Sequence, residues 1–207
     1  MKKTIIFDLD GTLVDIEPLF LEILNTLAKE FGFAPILPEE RLALKHVSLK
    51  KLMWQRLGWR VIYLPCILKR GREEYHRRIS DVTLFAGIPE LMETLENKGY
   101  RLGIVSSSRQ DTIEAIVNHY ELPVDFVVSG KLFNKAQSLR DTLKIERLEL
   151  SEVLYIGDEV RDVEACHQVG LDIISVTWGL NSKEALMTTG APTVDTREEL
   201  FALILAS

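Results

Sequence analysis

The opening stretch MKKTIIFDLDGTLVD (residues 1–15) runs an apolar segment, TIIFDLD (4–10), straight into two carboxylates, Asp8 and Asp10, followed by Gly11 and Thr12. A short run without polar alternation suits a parallel strand buried on both faces. Two anions at the mouth of such a strand raise each other's energy unless something positive lies between them. The stretch therefore predicts a central strand that ends at a functional site, and it poses the question of the missing cation.

Working outward, the same signature recurs in RLGIVSS (101–107), FVVSG (126–130), VLYIGD (153–158) and DIISVTW (172–178), with TVDT (193–196) as a shorter sixth strand. Helical patterns alternate with them: IPELMETLENKG (88–99), RQDTIEAIVNHY (109–120), AQSLRDTLKIERL (136–148) and RDVEACHQVG (161–170). Gly99 and Gly170 stand where helix stops are expected. Strand and helix in alternation predict an α/β fold, a Rossmann-like doubly wound parallel sheet.

One segment breaks the alternation. Between Asp15 and Thr83 the pattern is helical throughout. IEPLFLEILNTLAKEFGF (16–33) places Leu19, Ile23, Leu24, Leu27 and Phe31 on one face, and KHVSLKKLMWQRL (45–57) and ILKRGREEYHRRI (67–79) follow. The expected organisation is a catalytic core of residues 1–14 and 84–207 with a small helical domain, 15–83, inserted after the first strand. Trp54, Trp59 and Trp178 are expected to pack cores, and His46, His76, His119 and His167 fall in helical contexts without partners at ligand spacing.

The chain has 207 residues, 46% hydrophobic and 27% charged, with a net charge of −6, so it carries no nucleic-acid footprint. Charge is uneven: residues 41–80 hold 11 Lys/Arg and only two acids, Glu73 and Glu74. That basic segment either steers an anionic substrate or docks on the acidic remainder. Cys66 and Cys166, far apart and outside any CxxC, predict neither a disulfide framework nor sulfur-bound metal, which suits the cytoplasm. MKKTIIF is cut short by Asp8 before a signal-peptide core could form, and no segment is long and apolar enough to span a membrane. A monomer or homodimer is expected.

In open α/β sheets ligands bind beyond the carboxyl ends of the strands. Those ends carry Asp8, Asp10 and Thr12; Ser106, Ser107 and Ser108 with Arg109; Lys131 and Lys135; and Asp158, Glu159 and Asp162. Hard carboxylate oxygens suit Mg²⁺, while serine hydroxyls, a lysine and a helix start suit phosphate oxygens. A carboxylate can also attack phosphorus while a second one moves protons. The set points to phosphoryl transfer on a small phosphorylated metabolite.

Taken in order, DLDGT, a strand ending in Ser106, a lysine opening a helix and GDEVRD resemble the four motifs of the haloacid dehalogenase superfamily, phosphatase branch. The insert after the first motif corresponds to that superfamily's helical C1-type cap. SVTWG (175–179) is similar to its phosphoglycolate phosphatase-like subgroup. The resemblance implies Asp8 as nucleophile and Mg²⁺ ligand, and Asp10 as general acid/base that lends its backbone carbonyl to the metal. It further implies Thr12 as the residue orienting Asp10 or its loop, and Ser106, with Ser107 beside it, as phosphate-binding. Asp158 would be a metal ligand, and Asp162 would support the metal or the lysine. Lys135, 23 residues before Asp158, fits the lysine position better than Lys131, although no proline follows it. Asp10 argues against carbon–halogen cleavage, since the dehalogenases lack an acid/base aspartate there. A phosphosugar mutase of the β-phosphoglucomutase kind and a non-catalytic phosphate-binding module remain as alternatives.

Overall fold

The computed structural model describes residues 2–40, 45, 46, 49–131 and 134–207. Six strands form one parallel sheet: β1 (Thr4–Phe7), β2 (Arg101–Ser106), β3 (Phe126–Ser129), β4 (Val153–Gly157), β5 (Asp172–Val176) and β6 (Thr193–Val194). Their spatial order is β3-β2-β1-β4-β5-β6. Sequence and space diverge at β1, whose neighbours are β2 on one side and β4 on the other, so the switch point of the doubly wound sheet lies where Asp8 emerges. The weak sixth strand is present as two residues paired to β5.

Because side chains alternate across a strand, the uninterrupted apolar runs feed two cores. Ile5 and Phe7 join Leu102, Ile104, Leu154 and Ile156 on one face, under α4 (Ile88–Asn97), α5 (Gln110–His119) and α9 (Arg197–Ala206). Ile6, Val105, Val153 and Tyr155 face the other way, under α6 (Lys135–Ile145) and α7 (Val160–Val169). A short α8 (Lys183–Met187) connects β5 to β6.

The chain between β1 and α4 is helical: α1 (Glu17–Phe31), α2 (Leu49–Leu57), a 3₁₀ stretch Gly58–Tyr63, and α3 (Leu64–Arg77). The helix expected over 45–57 begins only at Leu49; Lys45 and His46 form a turn, and Val47 and Ser48 lie outside the described residues. Gly32 closes α1 in the left-handed conformation. The apolar face of α1, Leu19, Ile23, Leu24 and Leu27, packs into the same hydrophobic cluster as α4. The insertion leaves and re-enters through paired backbone: Asp15 N–H donates to Thr83 O at 2.9 Å and Phe85 N–H to Leu13 O at 3.0 Å.

One expectation fails here, and the charge of the basic segment is distributed otherwise than its sequence window suggests. Trp54 and Trp59 do not pack cores; they are 55% and 68% exposed, and Trp59 lies under the Arg60 guanidinium instead. Nor is the basic segment an isolated positive body. Arg56 pairs with Glu40, Arg70 with Glu30, and Arg78 with Glu22 and Asp81, so much of its charge is met by acids of the insertion itself. The window 41–80 excludes those glutamates because the fold, not the sequence, brings α1 alongside α3.

Candidate active site

β1 stops at Phe7, and Asp8 begins the turn beyond it. Asp8, Asp158 and Asp162 are buried, and their carboxylate oxygens lie within 4.8 Å of one another. Three strand-end signals converge to make this cluster: Asp8 follows β1, Asp158 follows β4, and Asp162 lies in the first turn of α7. Glu159 caps that helix, with its side chain accepting from the helix backbone while Asp162 accepts from Glu159 N–H at 3.1 Å.

The cation that the opening stretch called for comes from the far side of the sheet. Lys135, the first residue of α6, donates to Asp162 Oδ1 at 2.5 Å and lies 2.7 Å from Asp8 Oδ2, while Lys131 is exposed. Asn134 caps the helix that aims it, accepting from Gln137 N–H. Phenylalanine 133 and Leu132 lie outside the described residues.

The other predicted residues have the following partners. The Thr12 hydroxyl donates to Asp158 Oδ1 at 2.8 Å, which ties the loop after β1 to the end of β4. Gly11 has a φ of +88°, and a Cβ there would collide with the Asp158 carboxylate. Gly179, after β5, closes the other side of the same carboxylate, where a Cβ would meet both Asp158 and the Gly11 carbonyl. Asp10, although only two residues from Asp8, holds its carboxylate apart from the three-aspartate cluster: Tyr75 Oη donates to Oδ1 at 2.5 Å and Ser108 Oγ to Oδ2 at 2.6 Å. The reason is that β1 has already ended, so Asp10 is placed by the turn rather than by strand alternation. Ser107 contributes its backbone carbonyl to Arg72 at 3.1 Å. Ser106 is buried and its Oγ accepts from Ser108 N–H at 3.1 Å, an arrangement that turns its own hydrogen toward another acceptor.

Sequence reasoning missed Tyr75 and Ser108. Ser108 stood in the quoted triplet and could have been weighed as an Asp10 partner. Tyr75 gave no such signal, since only tertiary packing of α3 against the core brings it to the turn after β1. The same helix face also sets His76 Nδ1 3.0 Å from Thr112 Oγ1. Arg109 pairs with Asp111 on the surface, and Trp178, half-buried, donates from its indole N–H to Thr12 O at 3.1 Å.

The electrostatics are those of a buried anionic pocket short of positive charge. Four carboxylates, Asp8, Asp158, Glu159 and Asp162, face two cations, Lys135 and Arg161, whose guanidinium pairs with Glu159 at 2.5 Å. Burial pushes Asp8 up to about 7 even though the Lys135 ammonium opposes it. Asp158 is held well above the usual carboxylate range by burial and then by Glu159, Asp162 and Asp8. For Lys135 burial favours the neutral form, but Asp162 and Asp8 outweigh it and keep the ammonium charged. Hard oxygens in a cluster two positive charges short of balance match a divalent cation such as Mg²⁺, so the residues present fit such an ion.

That geometry fits a known frame. The chain matches the model of haloacid dehalogenase-like hydrolases over residues 5–176. It is similar to a phosphoglycolate phosphatase of Synechococcus elongatus, 34% identical over 188 residues that cover 89% of this chain and 88% of that protein. A phosphoglycolate phosphatase of Aquifex aeolicus is 27% identical, covering 92% and 93%. Among solved structures, a predicted phosphatase from Clostridium acetobutylicum superposes with a TM-score of 0.87 at 24% identity, covering all of both chains. A haloacid dehalogenase-like hydrolase from Streptococcus pneumoniae does so with a TM-score of 0.85 at 21% identity, covering 98% of each. The chain belongs to the haloacid dehalogenase-like hydrolase family. The enzyme class that the motifs implied, a hydrolase of the phosphatase branch, accords with that membership. Among the described residues no helix is long and apolar enough to cross a membrane.

The raised carboxylates make a stability prediction. A carboxylate whose folded pKa exceeds its unfolded value costs nothing while protonated in both states, and its cost grows as pH rises above the unfolded pKa of about 4. In the presence of a chelator, Asp158→Asn should therefore raise the melting temperature relative to wild type at pH 8, and by much less at pH 5. Thermal unfolding at the two pH values checks this; an equal shift at both would show that Asp158 carries no titration-linked cost.

Proposed function

We propose that this chain is a Mg²⁺-dependent phosphomonoester hydrolase that acts on a small phosphorylated metabolite through an aspartyl-phosphate. The observation that carries the reading is the Lys135 bridge between Asp8 and Asp162, set in a carboxylate cluster that needs a dication. The names of two relatives point to phosphoglycolate, a small phosphorylated acid. We take residues 1–14 and 84–207 as the catalytic core and 15–83 as the cap. Cys66 and Cys166 are both free, which suits a reducing cytoplasm.

Asp8 is the nucleophile. Lys135 takes one of its oxygens, Oδ2, and Leu9 N–H donates to the other at 2.9 Å, so the carboxylate is held in a single orientation. Asp8, Asp158 and the Asp10 carbonyl would hold Mg²⁺, which neutralises phosphate charge and lets two anions approach each other. As an Asp8 oxygen bonds to phosphorus, the bond to the leaving oxygen breaks and Asp10, protonated, supplies that oxygen with its proton. Asp10, now ionised, then takes a proton from water as the water attacks the aspartyl-phosphate, which frees Asp8 and inorganic phosphate. Ser106 donates its hydroxyl to a phosphate oxygen and Lys135 balances the charge of the transferring group. Thr12, Gly11 and Gly179 keep Asp158 in place, while Asp162 holds Lys135.

Tyr75 and Ser108 position the Asp10 carboxylate. They act on the proton-transfer group from two different elements, α3 of the insertion and the turn after β2, so the acid/base is fully positioned only when the insertion sits on the core. Closure of that kind excludes water from the reacting phosphorus.

Asp8→Asn should lower p-nitrophenyl phosphate turnover by at least about a thousandfold while the circular dichroism spectrum stays that of the wild type. Unchanged turnover would remove Asp8 as nucleophile. Chelation with EDTA should abolish phosphate release and added Mg²⁺ restore it. Tyr75→Phe, which deletes a single hydrogen bond to a carboxylate, should lower kcat about tenfold. A kcat equal to that of the wild type would show that Tyr75 only packs.

A further inference from the structure

The cavity that opens from the active site is lined for most of its depth by carbon. It has a volume of about 180 Å³. At one end its wall is made by Asp10, Ser107, Ser108 and Arg161, the residues around the proposed phosphate position. From there it runs between α1 and α3 into the insertion, walled by Phe20, Ile23, Leu27, Met53 and Ile67. The cations stand at its mouth and not along its depth: Arg161 pairs with Glu159, and Arg72 donates one N–H to the Ser107 carbonyl. A carboxylate pushed inward from the phosphate would leave both behind and meet only hydrocarbon, which costs several kcal/mol for an unpaired charge.

A second, independent feature shows that the space is kept open. Gly71 sits in the middle of α3, where glycine weakens a helix relative to alanine. It lines the cavity, and a Cβ placed on it would meet Leu27 Cδ1 at 3.5 Å, an ordinary contact. Neither positive φ nor a backbone clash calls for glycine at this position. What its missing side chain leaves is room in the cavity.

We propose that the leaving group of the substrate carries an apolar body, an aryl ring or an alkyl chain of about ring size, which occupies the space between α1 and α3 while its phosphate sits at Asp8. The proposal rests on the phosphatase reading and names the substrate class for that site. An apolar cavity of about 150 Å³ holds a benzene ring, so the space here accepts a group of that size and is larger than a two-carbon acid needs.

The test uses the full chain with Mg²⁺ and measures phosphate release from ethyl, butyl, hexyl and benzyl phosphate, phosphoglycolate and p-nitrophenyl phosphate. The alkyl esters share one chemistry, so kcat/KM should climb with chain length, about fourfold per buried methylene until the cavity is full. Phosphoglycolate should fall at least about tenfold below hexyl phosphate. Gly71→Leu should erase the climb, while Gly71→Ala should retain most of it and melt higher. Hexylphosphonate, which cannot be cleaved, should bind the Mg²⁺-loaded protein more tightly than ethylphosphonate by calorimetry. A flat series, or phosphoglycolate as the fastest ester, overturns the apolar leaving group and leaves the phosphatase reading standing. No release from any ester overturns the phosphatase reading, and the proposal with it.

Discussion

Burying Asp8, Asp158, Glu159 and Asp162 around Lys135 is the constraint on which the rest of this protein depends. Desolvation makes each of those charges expensive, and no single element could hold them. The fold spreads the task over the ends of β1 and β4 and the starts of α6 and α7, each rooted in one of two apolar cores. Lys135 is aimed from one side of the sheet at carboxylates that emerge from its centre, so any shift of α6 against β1 and β4 would leave anions unpaired. The cost that remains is visible in the upward displacement of Asp8 and Asp158.

Around that cluster the small residues have physical duties. Gly11 and Gly179 approach the Asp158 carboxylate more closely than any side chain would allow, and Thr12 Oγ and Leu180 N–H each donate to one of its oxygens. Asp158 is thereby fixed, while Asp10, held by hydroxyls alone, sits where a proton can move. Two aspartates that look equivalent in DLDGT are thus put into unlike surroundings, one beside an ammonium in a buried anionic cluster, the other under Tyr75 and Ser108. Different surroundings are what the proposed division of labour, one carboxylate as nucleophile and the other as acid/base, requires.

The insertion packs against the core through a small set of side chains. Its α3 touches the core through Arg72, Tyr75 and His76, three residues on one helical face. The opposite wall of the cavity is α1, whose apolar stripe serves both the packing of the insertion and the lining of the space beside the phosphate site. The packing of the insertion and the lining of the cavity therefore depend on the same two helices.

Local chemistry in the sequence determined much of this. Apolar runs without alternation demand burial on both faces, hence a parallel sheet, and the residues after each run had to lie at strand ends, which marked Asp8, Ser106 and Asp158 as neighbours. The spacing of Leu19, Ile23, Leu24 and Leu27 determined an amphipathic helix, and Lys135 could be preferred to Lys131 from its place at a helix start. Tertiary structure alone decided which carboxylates share a cluster, because the end of β1 at Phe7 turns Asp10 away while α7 carries Asp162 inward. It alone brought Tyr75 to Asp10 across 65 residues of chain, matched the basic stretch to glutamates of α1, and left Trp54 and Trp59 outside. Periodicity records which face of an element is apolar; which elements then meet is set by packing between segments distant in the chain, and no local pattern carries that information.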